Sequence, residues 1–253
     1  MSILSNVSVI VPSLIAAALL LPAAVSAAEI KLMCPAPMRT AMVALLDQFE
    51  RATAHKFEVV HTPTRFIVDR VRAGEAVDVT ILTKSASDQL MQESKLARSV
   101  DIARSSIGIA VLSGAPRPDL SSAEAVKRTL LAAKTFARNE GAESGKHMVA
   151  VFDRLGIAEQ MKAKTTAMPV NTGYVAELVA RRQVEMAAQQ MPELMAVAGV
   201  EATPLPPELQ QVILFSAGVS VTSRQTDAVN ELLKFLSSPA AAAVLKSKGL
   251  DPP

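Results

Sequence analysis

The sequence predicts an α/β fold built on a parallel sheet, and three observations carry that prediction. Short apolar runs at 30–34, 57–60 and 77–82 read as strands, and the stretches between them repeat apolar residues at helical spacing. The resulting order is βαβαβ, which implies parallel strands joined by right-handed crossovers. Two strand ends lead into short loops that open helices, Cys34-Pro35-Ala36-Pro37-Met38-Arg39-Thr40 and His61-Thr62-Pro63-Thr64-Arg65. Open α/β sheets take ligands at such strand ends. Helix starts offer free N–H groups and a partial positive charge, and each loop adds an arginine, so the two loops suit a small anion.

Each element has its own reason. The helix after the first strand runs to about Ala52, with Met42, Leu45, Leu46 and Phe49 on one face. Pro63 suits a helix that starts at Arg65, because a proline early in a helix loses no hydrogen bond, and Gly74 ends that helix. Thr83-Lys84-Ser85 follows the third strand. A strand at 107–112 leads into the 114–122 loop with Pro116 and Pro118, then a helix over about 123–133 and a strand at 134–137. Arg138-Asn139-Glu140-Gly141-Ala142-Glu143-Ser144-Gly145 opens a helix that runs to about Leu155. Val170-Asn171-Thr172-Gly173-Tyr174 opens another to about Arg182, and 184–189 reads as a strand. The apolar run 212–221 suits a buried strand. Two amphipathic helices close the chain, one lined by Val229, Leu232, Leu233 and Leu236, the next capped by Ser238.

Composition narrows the function. The 253 residues suffice for one large domain or two lobes, and 50% apolar residues with only 3% aromatics imply an aliphatic core. Lys plus Arg is 26 against 24 acids, and no basic tract exceeds two residues, which argues against nucleic acid as a partner. A single cysteine excludes an intrachain disulfide, zinc-cluster spacing and iron–sulfur ligation, so neither a metal nor a cofactor is expected. Residues 7–27 are almost wholly apolar and end in Val25-Ser26-Ala27, small side chains of the kind signal peptidase accepts. The expectation is a signal peptide over 1–27, cleaved near Ala27, and a periplasmic protein. An uncleaved anchor is the other reading of such a run, but Pro12 and Pro22 interrupt it.

Several stretches resemble a known family: Ala44-Leu45-Leu46-Asp47-Gln48-Phe49-Glu50, Ala73-Gly74-Glu75-Ala76-Val77-Asp78-Val79, the 141–145 loop, Gln189-Gln190-Met191-Pro192-Glu193-Leu194, Phe215-Ser216-Ala217-Gly218-Val219 and Leu236-Ser237-Ser238-Pro239-Ala240-Ala241. Together they resemble the periplasmic solute-binding proteins of the type II fold, and within them the molybdate-binding proteins of ABC importers. The resemblance implies two α/β lobes, each a mixed or parallel sheet flanked by helices, joined by a two-strand hinge. Lobe I would hold 28–111 plus 212–253 and lobe II 112–211, with the ligand in the cleft between them. The chain departs from the molybdate pattern where that family offers serine hydroxyls: the first loop reads Pro35-Ala36-Pro37-Met38 and the second Thr62-Pro63-Thr64-Arg65. The family's lobe II tyrosine has no clear match, and Tyr174 is the only tyrosine.

The candidate ligand-binding residues are Ala36, Pro37, Met38, Arg39, Thr62, Thr64, Arg65, Lys84, Arg138, Ser144, Gly145, Asn171, Thr172 and Gln189, with Gln190 beside the last. Four of them are cations that follow predicted strands. Arginine binds carboxylate as a bidentate fork, which a spherical oxyanion does not require, so the set favours a di- or tricarboxylate over molybdate. The plain alternatives are solvated helix-start charges for Arg39, Arg65, Lys84 and Arg138, and helix capping for Thr62 and Thr64. Cys34 reads as a small buried hydrophobe.

Two functions follow. The favoured one is an exported monomeric receptor that hands a small anion to the membrane permease of an ABC importer. The alternative is an enzyme on the same scaffold, similar to aconitate isomerase, which moves a proton across an allylic system in a tricarboxylate. In that case His61, Glu140, Glu143 or His147 would carry the proton.

Overall fold

The computed structural model describes residues 27–170 and 172–253. The expected signal peptide, apart from its last residue, and Asn171 lie outside the described residues. In chain order, β1 (Glu29–Cys34) passes through a 3-10 turn at Ala36–Met38 into α1 (Arg39–Ala52). Then come β2 (Lys56–His61), α2 (Thr64–Arg72), β3 (Val79–Thr83), α3 (Lys84–Gln92) and β4 (Leu96–Ser105). β5 (Ile107–Leu112), α4 (Ala123–Ala132), β6 (Phe136–Glu140), α5 (Glu143–Arg154), α6 (Ala158–Lys162) and β7 (Thr165–Pro169) follow. α7 (Ala176–Ala180), β8 (Met186–Gln190), α8 (Met191–Met195) and β9 (Val200–Pro204) lead to β10 (Ile213–Ser220), α9 (Thr226–Leu236), α10 (Pro239–Ser247) and β11 (Leu250–Asp251).

Two mixed sheets result, each flanked by helices. One has the order β11-β4-β10-β3-β1-β2 and the other β7-β6-β8-β5-β9. β1, β2 and β3 are parallel, as the βαβαβ pattern requires, and β6 runs parallel to both β7 and β8. β10 enters antiparallel between β3 and β4. The aliphatic core forms around these sheets. Ile30, Leu32, Ile81, Val229 and Leu232 are inaccessible in one lobe, as are Ile107, Val126, Leu130 and Phe136 in the other. Phe49 is the aromatic centre of the first lobe, with ring centroids 5.5 Å from Phe235 and 5.8 Å from Phe57.

β5 bonds to β8 and β9 in the second sheet, so the chain first passes from one sheet to the other at Ser106. The second crossing runs along 205–212. Gln210 ties the two crossings together: its Oε1 accepts from Ile107 N–H at 2.7 Å, and its Nε2 donates to the Ile107 and Leu205 carbonyls at 3.0 and 3.1 Å. Pattern reading did not anticipate four strands, β4, β7, β9 and β11. β7, β9 and β11 are sheet edges, and β4 reads Leu-Ala-Arg-Ser-Val-Asp-Ile-Ala-Arg-Ser, with too little apolar alternation to stand out. The helix α3, starting at Lys84, was likewise not anticipated.

Candidate functional site

β1 and β2 end side by side, and their register sets Cys34 against His61. Thr62 N–H then donates to the Cys34 carbonyl at 3.2 Å. Pro35 is extended and Pro37 enters the 3-10 turn, so the chain reverses tightly and α1 begins at Arg39, whose side chain is exposed. The guanidinium lies close enough to Cys34, His61 and Tyr174 for its charge to act on all three. Tyr174 belongs to the second lobe, so the charge of Arg39 bears on groups of both lobes. Burial, reinforced by Arg39, holds the His61 imidazole below the ordinary histidine range, although the Cys34 backbone favours its protonated form. Its Nδ1 is buried without a partner. Burial pushes the Cys34 thiol far up against the pull of Arg39, which makes it an unreactive thiol.

In the second lobe β6 ends at Glu140, and Gly141 turns the chain with φ +77 into α5. Gly145 is required by close approach, because a Cβ there would overlap the Asn139 carbonyl oxygen. Ser144, at the second position of α5, is buried and its Oγ has no partner. Behind it lies a buried polar network. Gln189 Nε2 donates to Asn139 Oδ1 at 2.7 Å and to Glu193 Oε1 at 2.8 Å, while Gln189 Oε1 accepts from Val175 N–H at 3.1 Å. Burial raises the Glu193 carboxyl to about 8, opposed by hydrogen bonds from the Gln190 backbone N–H and the Gln189 side chain. Tyr174 is raised chiefly by burial; Arg39 lowers it, and Glu193, Cys34 and Glu177 raise it further. Gln190 Oε1 is buried without a partner.

The lobes touch through α8, which packs on the Ala36–Met38 turn. It also lies so close to the chain terminus that a Cβ on Gly249 would stand 2.6 Å from Met195 Sδ. An open groove of about 170 Å³ runs between Thr83, Lys84 and Ser85 of one lobe, Glu143 of the other, the hinge residues Gln211 and Val212, and Ile213 and Leu214 at the start of β10. A larger groove of about 220 Å³ between α1 and β2 is lined by Asp47, Glu50 and apolar side chains, which disfavours an anion.

The expected site residues divide into three groups. Arg39, His61 and the half-buried Thr62 and Thr64 gather at the ends of β1 and β2, and neither threonine caps α2. Ala36 and Pro37 are half-buried in the adjacent turn, and Ser144 and Gly145 open α5. Lys84 and Glu143 line the groove instead, Lys84 bonding Asp88 at 2.8 Å one helical turn away and Glu143 standing 4.0 Å from Lys146. Glu140 and Arg65 are exposed, and Arg65 lies 4.3 Å over the Phe66 ring.

Five of the expected residues have other surroundings than a cleft loop. Met38 is wholly buried in the first lobe's core, because the turn points it inward. Arg138 lies within β6 rather than after it, flanked by Ala167 and Ala188, and donates to the Asn139 carbonyl at 3.3 Å. His147 lies within α5, with Nε2 2.7 Å from the Leu209 carbonyl. Gln189 commits its amide inside the buried network, and Thr172 turns its hydroxyl to the Pro169 carbonyl at 2.6 Å. The sequence reading missed Tyr174, Asn139 and Glu193 as site residues. A signal for Glu193 existed: strand end, proline at the second helical position, then an acid in the first turn is a helix-start pattern.

The sequence profile described as bacterial extracellular solute-binding protein matches residues 30–251. An aconitate isomerase from a Pseudomonas species is 32% identical over 213 residues, covering 81% of this chain and 80% of that one. Among solved structures, the periplasmic molybdate-binding protein of Azotobacter vinelandii superposes with a TM-score of 0.73 at 14% identity, over 88% of this chain and 99% of that one. The tungstate-binding protein of Desulfovibrio alaskensis gives 0.64 at 11% identity, over 90% and 99%. These structural likenesses carry the type II fold, and the chain belongs to the bacterial extracellular solute-binding protein family.

Proposed function

We propose that the cleft binds a di- or tricarboxylate and that the protein catalyses an aconitate-type isomerisation, acting as a periplasmic monomer after cleavage near Ala27. One observation carries this reading. The charge of Arg39 bears on His61 of the first lobe and on Tyr174 of the second, and three buried polar atoms lack partners: His61 Nδ1, Ser144 Oγ and Gln190 Oε1. Buried polar atoms without partners are rare, and an anion bearing several carboxylates would satisfy a donor such as Ser144. The guanidinium suits the fork of a carboxylate. His61, neutral and unpartnered at Nδ1, suits a base that removes an allylic C–H proton. The 32% identity to an aconitate isomerase supports the same reading.

A second reading keeps the cleft without the chemistry: a receptor that delivers the anion to an ABC permease. Family membership favours it, as does a hinge of two crossings that suits closure on a ligand. Thermal shift against molybdate, tungstate, citrate, succinate and both aconitates separates oxyanion from carboxylate. A ligand at 100 times its Kd adds about 2.7 kcal/mol, roughly 5–10 °C for a chain of this size. Proton NMR of the aconitate samples then separates enzyme from receptor. Stabilisation by molybdate alone defeats the carboxylate reading, and aconitate that binds but returns unchanged leaves the receptor.

A further inference from the structure

Arg138 sits inside a strand, yet its side chain ends at the start of α5. Side chains alternate along a strand, so Arg138 shares the face of β6 that carries Phe136. That face lies against α5, because Phe136 meets Phe152 edge-on with ring centroids 5.6 Å apart. The register partners of Arg138 are Ala167 and Ala188, small on both sides, which leaves the long stem room to run toward the end of the strand. There Nη1 donates to the Asn139 carbonyl at 3.3 Å. This is the only hydrogen bond or ion pair that Arg138 makes among the described residues, so most of its fork is without an acceptor. The same carbonyl oxygen is the one that a Cβ on Gly145 would overlap. The guanidinium and the first turn of α5 therefore meet at one atom.

That turn holds further donors. Ser144 is 1% exposed, and its Oγ has no partner. Ala142 at the cap position of this 12-residue helix has no side chain that could accept from the first N–H groups. Glu143, the first residue of α5, lines the groove between the lobes with Thr83, Lys84 and Ser85, so the helix start faces the first lobe. The Glu143 carboxylate stands 4.0 Å from Lys146 Nζ, and Glu140 is exposed. A cation at a helix N-terminus opposes the macrodipole, and a buried hydroxyl without a partner is costly. One anion bound there offsets both.

We propose that Arg138, the Ser144 hydroxyl and the free N–H groups of the first turn of α5 form a second-lobe anchor for one carboxylate of the ligand; this rests on the carboxylate reading of the cleft and holds for enzyme and receptor alike. One carboxylate oxygen faces the guanidinium, and the other accepts from Ser144 and the helix start. Arg39 on the first lobe takes another carboxylate of the same molecule. A ligand with two or more carboxylates then bridges the lobes and favours their closure, which a monocarboxylate cannot do. Arg138 stands on a strand and Ser144 on a helix, rigid supports that fix where the carboxylate lies. Both set specificity and take no part in proton transfer.

The test uses the mature protein and Arg138→Gln, Arg138→Lys and Ser144→Ala. Calorimetry gives the Kd for each of citrate, succinate, cis-aconitate and trans-aconitate that the wild type binds, and melting curves are recorded without ligand. Arg138→Gln is expected to weaken binding roughly 10–100-fold and Ser144→Ala about 10-fold. Arg138→Lys falls between wild type and Arg138→Gln, because it keeps the charge and loses the fork. Ligand-free Ser144→Ala melts at or above the wild-type temperature, since a buried hydroxyl without a partner is gone. Wild-type affinity in Arg138→Gln overturns the anchor and leaves the carboxylate reading standing. If that variant does not fold, wild-type affinity in Ser144→Ala overturns it instead. Equal losses of affinity in both Arg138 variants, with ligand-free melting well below the wild type, mark a packing residue and also overturn it. A wild type that binds none of the four carboxylates overturns both readings.

Discussion

The backbone N–H of Ala28 donates to Nδ1 of His55 at 3.1 Å, and the other ring nitrogen of that histidine stands 3.3 Å from Glu231 Oε2. His55 is 2% exposed and its ring stacks on Phe49 at 5.9 Å, so the imidazole is held between two elements of the first lobe. Cleavage after Ala27 would turn the Ala28 donor into an ammonium aimed at this relay. The first residue of the exported protein, read by mass spectrometry, is expected to be Ala28. His55→Ala is expected to cost about 2 kcal/mol, which lowers Tm by roughly 4–8 °C. Glu231→Gln, at a half-exposed position, should cost well under half as much. A different first residue, or His55→Ala melting with the wild type, goes against this account.

Gly145 is a packing glycine rather than a turn glycine. Gly145→Ala drives a methyl group into the Asn139 carbonyl, backbone against backbone, and the start of α5 has to move. The expected loss exceeds about 2 kcal/mol. Gly156→Ala, at φ +67 with open space around it, should cost only about 1 kcal/mol of backbone strain. Equal losses in the two variants, measured by urea unfolding, contradict the overlap.

Glu193 makes stability depend on pH with a definite sign. Its folded pKa, about 8, lies above the ordinary carboxyl value of 4.5. The stabilisation of the protonated form is complete below 4.5 and is lost as pH rises through 8. Glu193→Gln should flatten that limb and melt about 2–4 °C or more above the wild type at pH 9. Parallel Tm curves for the two proteins between pH 5 and 9 refute it.

His61 has the opposite linkage to ligand. Its folded pKa is depressed, so the imidazole is neutral near pH 7, and a bound anion raises it. Binding therefore takes up a proton, and affinity strengthens as pH falls through the window between the free and bound values. Near pH 6 Glu193 is already protonated and does not contribute. Calorimetry with citrate in buffers of different ionisation enthalpy should find uptake in the wild type and much less in His61→Gln. Uptake unchanged in that variant assigns the proton elsewhere.

The elements that sequence reading located best are those whose pattern is local. The apolar run 107–112 is β5 to the residue, and the helix expected over about 123–133 is α4. β7 and β9 escaped because edge strands bury little and so carry little alternation. At the site, Arg39 and His61 were legible because one lies just beyond β1 and the other ends β2, two neighbouring parallel strands. Arg138 was misjudged because β6 continues past it, and strand length is decided by its neighbours β7 and β8.

Sequence alone determined the α/β class, the two anion-suited loops and the resemblance to solute-binding proteins, since these follow from periodicity, helix-start chemistry and short motifs. Only the tertiary structure decided which charges meet. Arg39 and Tyr174 are far apart in the chain, yet the charge of one acts on the other, and Glu193 became an acid of unusual pKa because folding surrounds it with amides instead of water. Desolvation and Coulomb energy depend on distances through space, and a one-dimensional pattern does not contain them.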